Sequence, residues 1–144
     1  MPTVFSQIIR GERPGRLVWR DPVCAAFLDA YPLTDGHTLV VPVTEVDRWT
    51  DAPDDLMAHL WQVVGAVGRA QQVAFPSRRI GLMVMGYEIP HLHIHSFPTN
   101  RFADFDLAHK DRRPDPRRLD ANASALRQAL REAGYAAQVD AAQA

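Results

Sequence analysis

The sequence predicts an α+β fold in which an antiparallel sheet of about five strands carries one long helix and a shorter C-terminal helix. Two observations support this prediction. Five short apolar segments bounded by turn-forming residues have the length and composition of strands. Two longer segments repeat their apolar residues at intervals of three and four, the spacing of an amphipathic helix. With 144 residues, the chain is long enough for one domain to bury a core without disulfides.

The amino-terminal part is predicted to contain a short helix and three strands. The helix covers residues 4–10 and is ended by Gly11, because glycine is suited to the backbone conformation that follows a helix. Asp21-Pro22 and residues 31–36 have the composition of turns. The predicted strands between these breaks lie at residues 16–20, 23–28 and 37–42.

The longest predicted helix runs from Pro53 to about Val73. Acidic residues in its first turn suit the positive end of the helix dipole. Its apolar stripe consists of Leu56, Leu60, Val63, Val64 and Val67. A further strand is predicted at residues 80–85, and we expect it to pair with the next strand through the short loop 86–90.

The chain becomes more polar after Thr99. Residues 101–134 are predicted to form a surface loop and then a helix that stops at Gly134. Residues 138–144 are expected to be a disordered tail. We therefore expect a single domain over residues 1–137.

The composition argues against several classes of protein. The net charge is −1, with 16 basic and 17 acidic residues, which gives no sign of a nucleic-acid or membrane-surface binder. The single Cys24 cannot form an internal disulfide, as is common in a reducing compartment. The sequence shows no signal-peptide pattern and no apolar run of about 18 residues. We therefore expect a cytoplasmic protein.

The stretch from His91 to His95 carries the side chains with the greatest chemical capacity. Its three histidines alternate with Leu92 and Ile94, which is the period of a half-buried strand. The three imidazoles are expected to line one face, with neighbours roughly 7 Å apart at a rise of about 3.3 Å per residue. Imidazole can act as nucleophile, base or acid because its unperturbed pKa lies close to neutrality.

Three interpretations of this stretch compete. An ordinary strand with an exposed histidine face is disfavoured, because three histidines stand in register opposite an apolar face. A metal site remains open, since His-x-His on a strand can place two nitrogens on one ion. The third interpretation is metal-free nucleophilic catalysis, in which the middle histidine attacks and its neighbours orient it and neutralise developing charge.

The alternating histidines resemble the signature of the histidine triad (HIT) family. Three further segments are similar to motifs of that family and follow in its order and roughly its spacing: Phe5–Pro14, Ala26–Asp29 and Gly36–Pro42. The resemblance covers a core of residues 4 to about 100. It implies the family's HIT-like α+β fold, no cofactor, and a homodimer formed through the long helix and an edge strand.

The resemblance also implies roles for individual residues. His93 is expected to be the nucleophile, His95 to stabilise developing charge, and His91 and His37 to maintain the hydrogen bonds of the site. Asp29 is expected to accept hydrogen bonds from ribose hydroxyls, although an acid after an apolar strand is by default a turn-former. The other expected nucleotide-binding residues are Phe5, Ile9, Phe27, Leu28, Leu39 and Glu88.

These assignments predict a hydrolase that cleaves the α-phosphate bond of a nucleoside monophosphate conjugate through a covalent nucleotidyl-histidine. The conjugate is expected to be a phosphoramidate or a dinucleoside polyphosphate of an AMP-type purine nucleotide. Two alternatives remain open. The first is a nucleotidyl transferase or phosphorylase, which differs from the hydrolase only in the acceptor of the nucleotidyl group. The second is a weakly catalytic nucleotide-binding regulatory protein.

The sequence departs from the family pattern at four places. The Cys-x-x-Cys of many members is missing at the amino terminus and Glu45 stands near their zinc-binding histidine, so no zinc site is expected. Residues 85–87 stand where many members have a phosphate-binding asparagine. Glu88 occupies the place of a serine or threonine that donates to the leaving group. Ser96 replaces a hydrophobic residue. An ionised Glu88 would repel the phosphate of the substrate. A Glu88 that is protonated, or that is paired with a basic leaving group, would instead assist the reaction.

Overall fold

Five antiparallel strands form one sheet in the computed structural model, which describes residues 1–144, and they confirm the predicted α+β class. The strands are β1 (Leu17–Arg20), β2 (Cys24–Leu28), β3 (Thr38–Pro42), β4 (Arg79–Val84) and β5 (Ile94–Thr99). Their order across the sheet is β1-β2-β3-β5-β4, so β1 and β4 are the edges. β5 begins at Ile94 because its pairing with β3 ends where Val40 lies opposite Ile94. His91 and His93 therefore precede the paired strand.

Four helices pack around the sheet. They are α1 (Val4–Ile9), α2 (Asp54–Ala74), α3 (Pro116–Leu130) and α4 (Ala136–Gln143). The long helix α2 packs across β3, β5 and β4, while α3 packs against α2 and β1. None of the helices combines the length and the hydrophobicity that crossing a lipid bilayer requires.

The alternation of side chains along each strand divides the sheet into two faces. One face packs against α2 and α3 in the larger hydrophobic cluster, and its central strand residues are Ala26, Val40 and Ile94. The other face packs against α1 in a smaller cluster, which includes Phe5, Phe27 and Leu39. Because His95 follows Ile94, it points to the face that carries the smaller cluster.

A buried glutamine of α2 joins this helix to the strands that carry the histidines. The side-chain amide of Gln71 donates to the carbonyl oxygens of Gly36 and Ser96, at 2.9 and 2.8 Å. Its Oε1 accepts from the Ser96 hydroxyl at 2.6 Å. A buried polar group without a partner costs about 1–3 kcal/mol. Ser96, which departs from the hydrophobic family pattern, is thus matched by Gln71.

The carboxyl terminus differs from the predicted disordered tail. Gly134, with a φ of 102°, interrupts the helical chain after α3, which then continues as α4. α4 lies against the edge strand β1, and Val139 is fully buried there. One valine among alanines and polar residues produces no apolar stripe in the sequence. The burial of α4 depends on its contact with β1, so the ordered domain extends beyond residue 137.

We predict that Val139→Ala lowers the free energy of unfolding by about 2 kcal/mol, because it removes buried methyl groups and leaves a cavity. The measurement is the urea unfolding midpoint at unchanged slope. Val73→Ala is the matched control, since Val73 is also helical but 71% exposed, and its effect should stay within about 0.5 kcal/mol. Equal effects of the two substitutions would contradict the packing of α4.

Candidate active site

A cavity of about 700 Å³ opens on the face of the sheet that α1 partly covers. This volume lies in the usual range for small-molecule sites, roughly 300–1,000 Å³. The apolar side chains of its wall include Phe5, Ile8, Phe27, Leu28 and Leu39. The polar side chains include Asp29, Glu88, His93, His95 and Lys110. Residues from distant parts of the sequence therefore meet around one cavity.

Three residues that the sequence analysis assigned to the site do not line this cavity: Ile9, His37 and His91. Ile8 lies in the wall instead of Ile9, because successive side chains of a helix point about 100° apart. His37 and His91 are fully buried behind the wall. They contact the two cavity histidines from behind, through a side chain in one case and a backbone carbonyl in the other.

The hydrogen bond of His93 determines which of its nitrogens is free. His93 Nδ1 lies 2.7 Å from the backbone carbonyl oxygen of His91. A carbonyl only accepts, so the proton of the neutral ring is on Nδ1 and Nε2 keeps its lone pair. Burial lowers the pKa of His93 below its ordinary value, and the neutral ring is therefore favoured. An unprotonated Nε2 in a cavity has the properties of a nucleophile.

A chain of hydrogen bonds places the ring proton of His95 on Nε2, whereas that of His93 is on Nδ1. The backbone N–H of Leu33 donates to His37 Nδ1 at 3.0 Å. Because an amide only donates, the proton of His37 is on Nε2, which donates to His95 Nδ1 at 2.9 Å. The remaining proton of neutral His95 is then on Nε2, a buried atom that no protein group accepts from. This N–H is available to an anionic oxygen in the cavity.

Burial also keeps this pair of histidines neutral. It lowers the pKa of His37 to about 4 and that of His95 to about 3. The nearby carboxylate of Asp29 opposes this effect, with Oδ2 3.6 Å from His37 Nε2 and 3.9 Å from His95 Nδ1. Desolvation is the larger influence on both rings.

The imidazole of His91 points away from the cavity. Its Nε2 donates to the carbonyl oxygen of Pro42 at 2.8 Å, and its Nδ1 lies 2.6 Å from Thr3 Oγ1. The carbonyl partner places the ring proton on Nε2, so the Thr3 hydroxyl donates to Nδ1. His91 thus ties the start of α1 to β3, and its own carbonyl orients His93.

The residues near the family's zinc position do not fit a structural zinc ion. Ser6 Oγ and the backbone N–H of Thr3 both donate to Glu45 Oε1, at 2.6 and 2.8 Å. Structural zinc is held by thiolates and imidazoles, whereas this cluster offers hydroxyls and a carboxylate that already bond to one another. The hydrogen bonds hold α1 against the segment after β3, as a bound ion would otherwise do.

Two other groups of residues have metal-ligating atoms close together. Asp29, His37 and His95 form the first, but the facing nitrogens of the two histidines already share a hydrogen bond. Asp21, Cys24 and His59 form the second. Burial raises the pKa of the Cys24 thiol, and Asp21 Oδ2 already accepts from His59 at 2.8 Å. Neither group presents a free set of ligands.

Asp29 meets a residue that the sequence analysis did not single out. Asp29 Oδ1 accepts from the backbone N–H of Tyr31 at 2.8 Å, and Oδ2 accepts from Lys110 Nζ at 3.1 Å. Lys110 lies 81 residues away in the polar segment before α3. No motif marks it, because that segment lies outside the part of the chain that resembles the family.

Known proteins resemble this chain both in sequence and in fold. The HIT domain family matches residues 10–102. A HIT-like protein of Methanocaldococcus jannaschii is 35% identical over 99 residues, covering 66% of this chain and 77% of that protein. The adenylylsulfatase HINT3 of Arabidopsis thaliana is 32% identical over 128 residues, covering 85% of this chain and 64% of that protein. The crystal structure of a zinc-bound histidine triad family protein from Mycobacterium smegmatis has a TM-score of 0.76 at 28% identity, covering 92% of this chain and 96% of that one.

We predict that the free energy of unfolding falls as the pH drops from about 6.5 towards 4. In this window the unfolded chain protonates its histidines near pH 6.5, while folded His37 and His95 resist protonation until about pH 4 and 3. The stabilisation is therefore complete above pH 6.5 and decreases at up to about 1.4 kcal/mol per pH unit for each ring. Urea unfolding across this range is the measurement.

The control is a double variant, His37→Asn with His95→Gln, which removes both titrating rings. Its stability should change less between pH 6.5 and 4.5 than that of the wild type. An equal slope in the two proteins would mean that other groups dominate the acid sensitivity.

Proposed function

The chain belongs to the HIT domain family, and on this premise we propose that it is a nucleotide-binding hydrolase. Its reaction is cleavage of the bond between the α-phosphate of a nucleoside monophosphate conjugate and the leaving group. The observation that carries this proposal is the pairing of a free Nε2 lone pair on His93 with a free Nε2–H on His95. The two rings are adjacent, with centroids 4.9 Å apart.

In the first step, the lone pair of His93 Nε2 attacks the α-phosphorus. The bond from phosphorus to the leaving group breaks, and its electrons depart with the leaving group. The ring of His93 becomes positively charged, which strengthens the hydrogen bond from Nδ1–H to the carbonyl of His91. His95 Nε2–H donates a hydrogen bond to the phosphoryl oxygens, where negative charge develops, and an amine leaving group takes the proton that it needs from solvent.

In the second step, water attacks the phosphorus of the nucleotidyl-histidine. The nitrogen–phosphorus bond breaks, its electrons return to His93 Nε2, and a nucleoside monophosphate is released. The attacking water releases its proton to solvent, and His95 keeps its Nε2–H throughout. Two displacements with a good nitrogen leaving group thus replace one difficult displacement. If an acceptor other than water resolves the intermediate, the same site acts as a nucleotidyl transferase.

The cavity offers separate surfaces for the parts of an AMP-type nucleotide. The rings of Phe5 and Phe27, with centroids 5.6 Å apart, and the side chain of Leu39 provide an apolar surface suited to a purine. Asp29 is the candidate acceptor for the ribose hydroxyls. His93 and His95 remain for the α-phosphate. This division assigns the apolar wall to binding and the histidines to chemistry.

The charge of Glu88 influences which type of leaving group the site favours. It is exposed at the cavity, in the loop between β4 and His91. A carboxylate there favours a basic leaving group and disfavours an anionic one. We therefore propose an amine leaving group, as in a nucleoside phosphoramidate, in contrast to the sulfate implied by the name of the Arabidopsis adenylylsulfatase. A weakly catalytic nucleotide-binding protein is the alternative if Glu88 slows the reaction.

We also propose a homodimer through α2 and the edge strand β4. Apolar side chains stand exposed on both elements, among them Trp61 at 48% and Leu82 at 39%. An edge strand that presents apolar residues can continue its sheet into a second copy. Light scattering is expected to give twice the chain mass of 16.1 kDa. The mass of a single chain at micromolar concentration would contradict this prediction.

We predict that His93→Ala lowers the turnover of an adenosine phosphoramidate by roughly 10³-fold or more, because no other group can form the covalent intermediate. AMP binding should change far less. The assay measures AMP release with a strong chelator present. His59→Ala is the matched control, since His59 pairs with Asp21 and does not line the cavity.

Each outcome of this assay separates the proposed function from an alternative. Equal turnover by wild type and His93→Ala would overturn the nucleophile assignment. If neither turns over but both bind AMP, the regulatory nucleotide-binding protein is favoured. Loss of wild-type activity in the chelator would favour a metal-dependent reaction. A second substrate with an anionic leaving group should be hydrolysed more slowly if Glu88 acts as proposed.

A further inference from the structure

Lys110 reaches the cavity from the polar arm, which we define as residues 101–115 between β5 and α3. Its Nζ lies 3.1 Å from Asp29 Oδ2, and its side chain is only 17% exposed. Lysine side chains are usually solvated because they lose conformational freedom when they are fixed. A lysine held in a binding cavity next to the candidate ribose acceptor therefore requires a functional account.

The backbone of the polar arm holds Lys110 in this place. The backbone N–H of Asp111 donates to the carbonyl oxygen of Pro32 at 2.9 Å, and that of Lys110 donates to Leu107 at 3.2 Å. The guanidinium of Arg112 lies over the ring of Tyr31, 5.9 Å from its centroid. These contacts join the arm to the turn that follows Asp29. The two charged groups are thus brought together by main-chain structure and by their mutual attraction.

The pair of side chains retains unused hydrogen-bonding capacity. A carboxylate has about four acceptor positions and an ammonium has three donors. Asp29 uses one position on each oxygen, for Tyr31 N–H and for Lys110. Lys110 uses one donor on Asp29. The remaining acceptors and donors suit two neighbouring hydroxyl groups, since each hydroxyl both donates and accepts.

We propose that Lys110 and Asp29 together recognise the ribose of the bound nucleotide, with Asp29 accepting from its hydroxyls and Lys110 donating to their oxygens. This inference rests on the proposed nucleotide substrate. It assigns Lys110 as a specificity-determining residue for a ribonucleotide over a deoxyribonucleotide. The polar arm then becomes part of the substrate site, although Lys110 lies outside the residues that match the family.

Lys110 has a second effect through its charge. Asp29 Oδ2 is within 4 Å of a nitrogen on both His37 and His95, where an uncompensated carboxylate would favour protonated rings. The positive charge of Lys110 acts in the opposite direction and helps to keep the pKa of both histidines low. The carboxylate can therefore serve the sugar without charging His95.

The test measures binding of AMP, 2′-deoxy-AMP and 3′-deoxy-AMP by calorimetry to wild type and Lys110→Met. Wild type is expected to prefer AMP by roughly 10-fold, because a missing hydroxyl leaves buried polar groups unpaired. Lys110→Met should weaken AMP binding by roughly 10-fold and the deoxynucleotides by less, which reduces the preference to about 2-fold. Its acid limb of activity should also move to higher pH.

Two further variants make the result specific. Arg113→Met removes the same charge from an exposed position of the arm that does not line the cavity, and it should keep the wild-type preference. Lys110→Arg keeps a charged donor and should lie between wild type and Lys110→Met. Melting temperatures establish that each variant is folded.

One set of binding results would contradict the proposed role of Lys110. If Lys110→Met binds AMP as tightly as wild type, or more tightly, with the preference for ribose unchanged, then Lys110 only occupies Asp29 in the free protein and the inference is wrong. AMP binding without phosphoramidate turnover by wild type would overturn the hydrolase and leave this test intact. Failure of the wild type itself to bind AMP would overturn both proposals, and it is seen before any variant is made.

Discussion

The site depends on backbone groups that can only donate or only accept. The amide of Leu33 determines where His37 carries its proton, and the carbonyl of His91 determines the same for His93. As a result, His93 is left with a free lone pair on Nε2. His95, through its hydrogen bond with His37, is left with a free Nε2–H. Both backbone groups are held by turns beside β3 and β5. The protonation pattern therefore follows from the geometry of the sheet, and a change in strand pairing would alter the chemistry.

The sheet makes this possible by separating stability from chemistry. The face toward α2 and α3 is largely apolar, and the polar groups of the buried Gln71 and Ser96 are satisfied by hydrogen bonds to each other and to the carbonyl of Gly36. The opposite face accepts histidines and a carboxylate beside a small aromatic cluster. Burial of His37, His93 and His95 lowers their pKa and costs stability below about pH 6.5. The same burial maintains the neutral rings that the proposed reaction uses. The larger core supplies the stability that this arrangement requires.

Long-range contacts complete the site in ways that differ from the family pattern. Thr3, Ser6 and Glu45 join α1 to the segment after β3 through hydrogen bonds. Lys110 is brought to Asp29 by the polar arm. In both cases residues far apart in the chain exchange hydrogen bonds that hold the cavity wall in place. The first determines where Phe5 and Ile8 stand, and the second determines what surrounds the candidate sugar acceptor.

The sequence by itself determined the strands, the long helix and the face on which His93 and His95 lie, because these follow from local periodicities of two and 3.6 residues. Comparison of the sequence with the family pattern also pointed to Asp29, Phe27, Leu28, Leu39 and Glu88, and all five line the cavity; their roles in nucleotide binding remain predictions. Only the tertiary structure decided that His91 contributes a carbonyl, that Ile8 replaces Ile9 in the wall, and that Lys110 meets Asp29. It also decided that the segment after Gly134 forms the packed helix α4, through the burial of Val139. The physical reason is common to these cases: each depends on a partner distant in sequence or on the exact rotation of a helix, and neither leaves a local pattern.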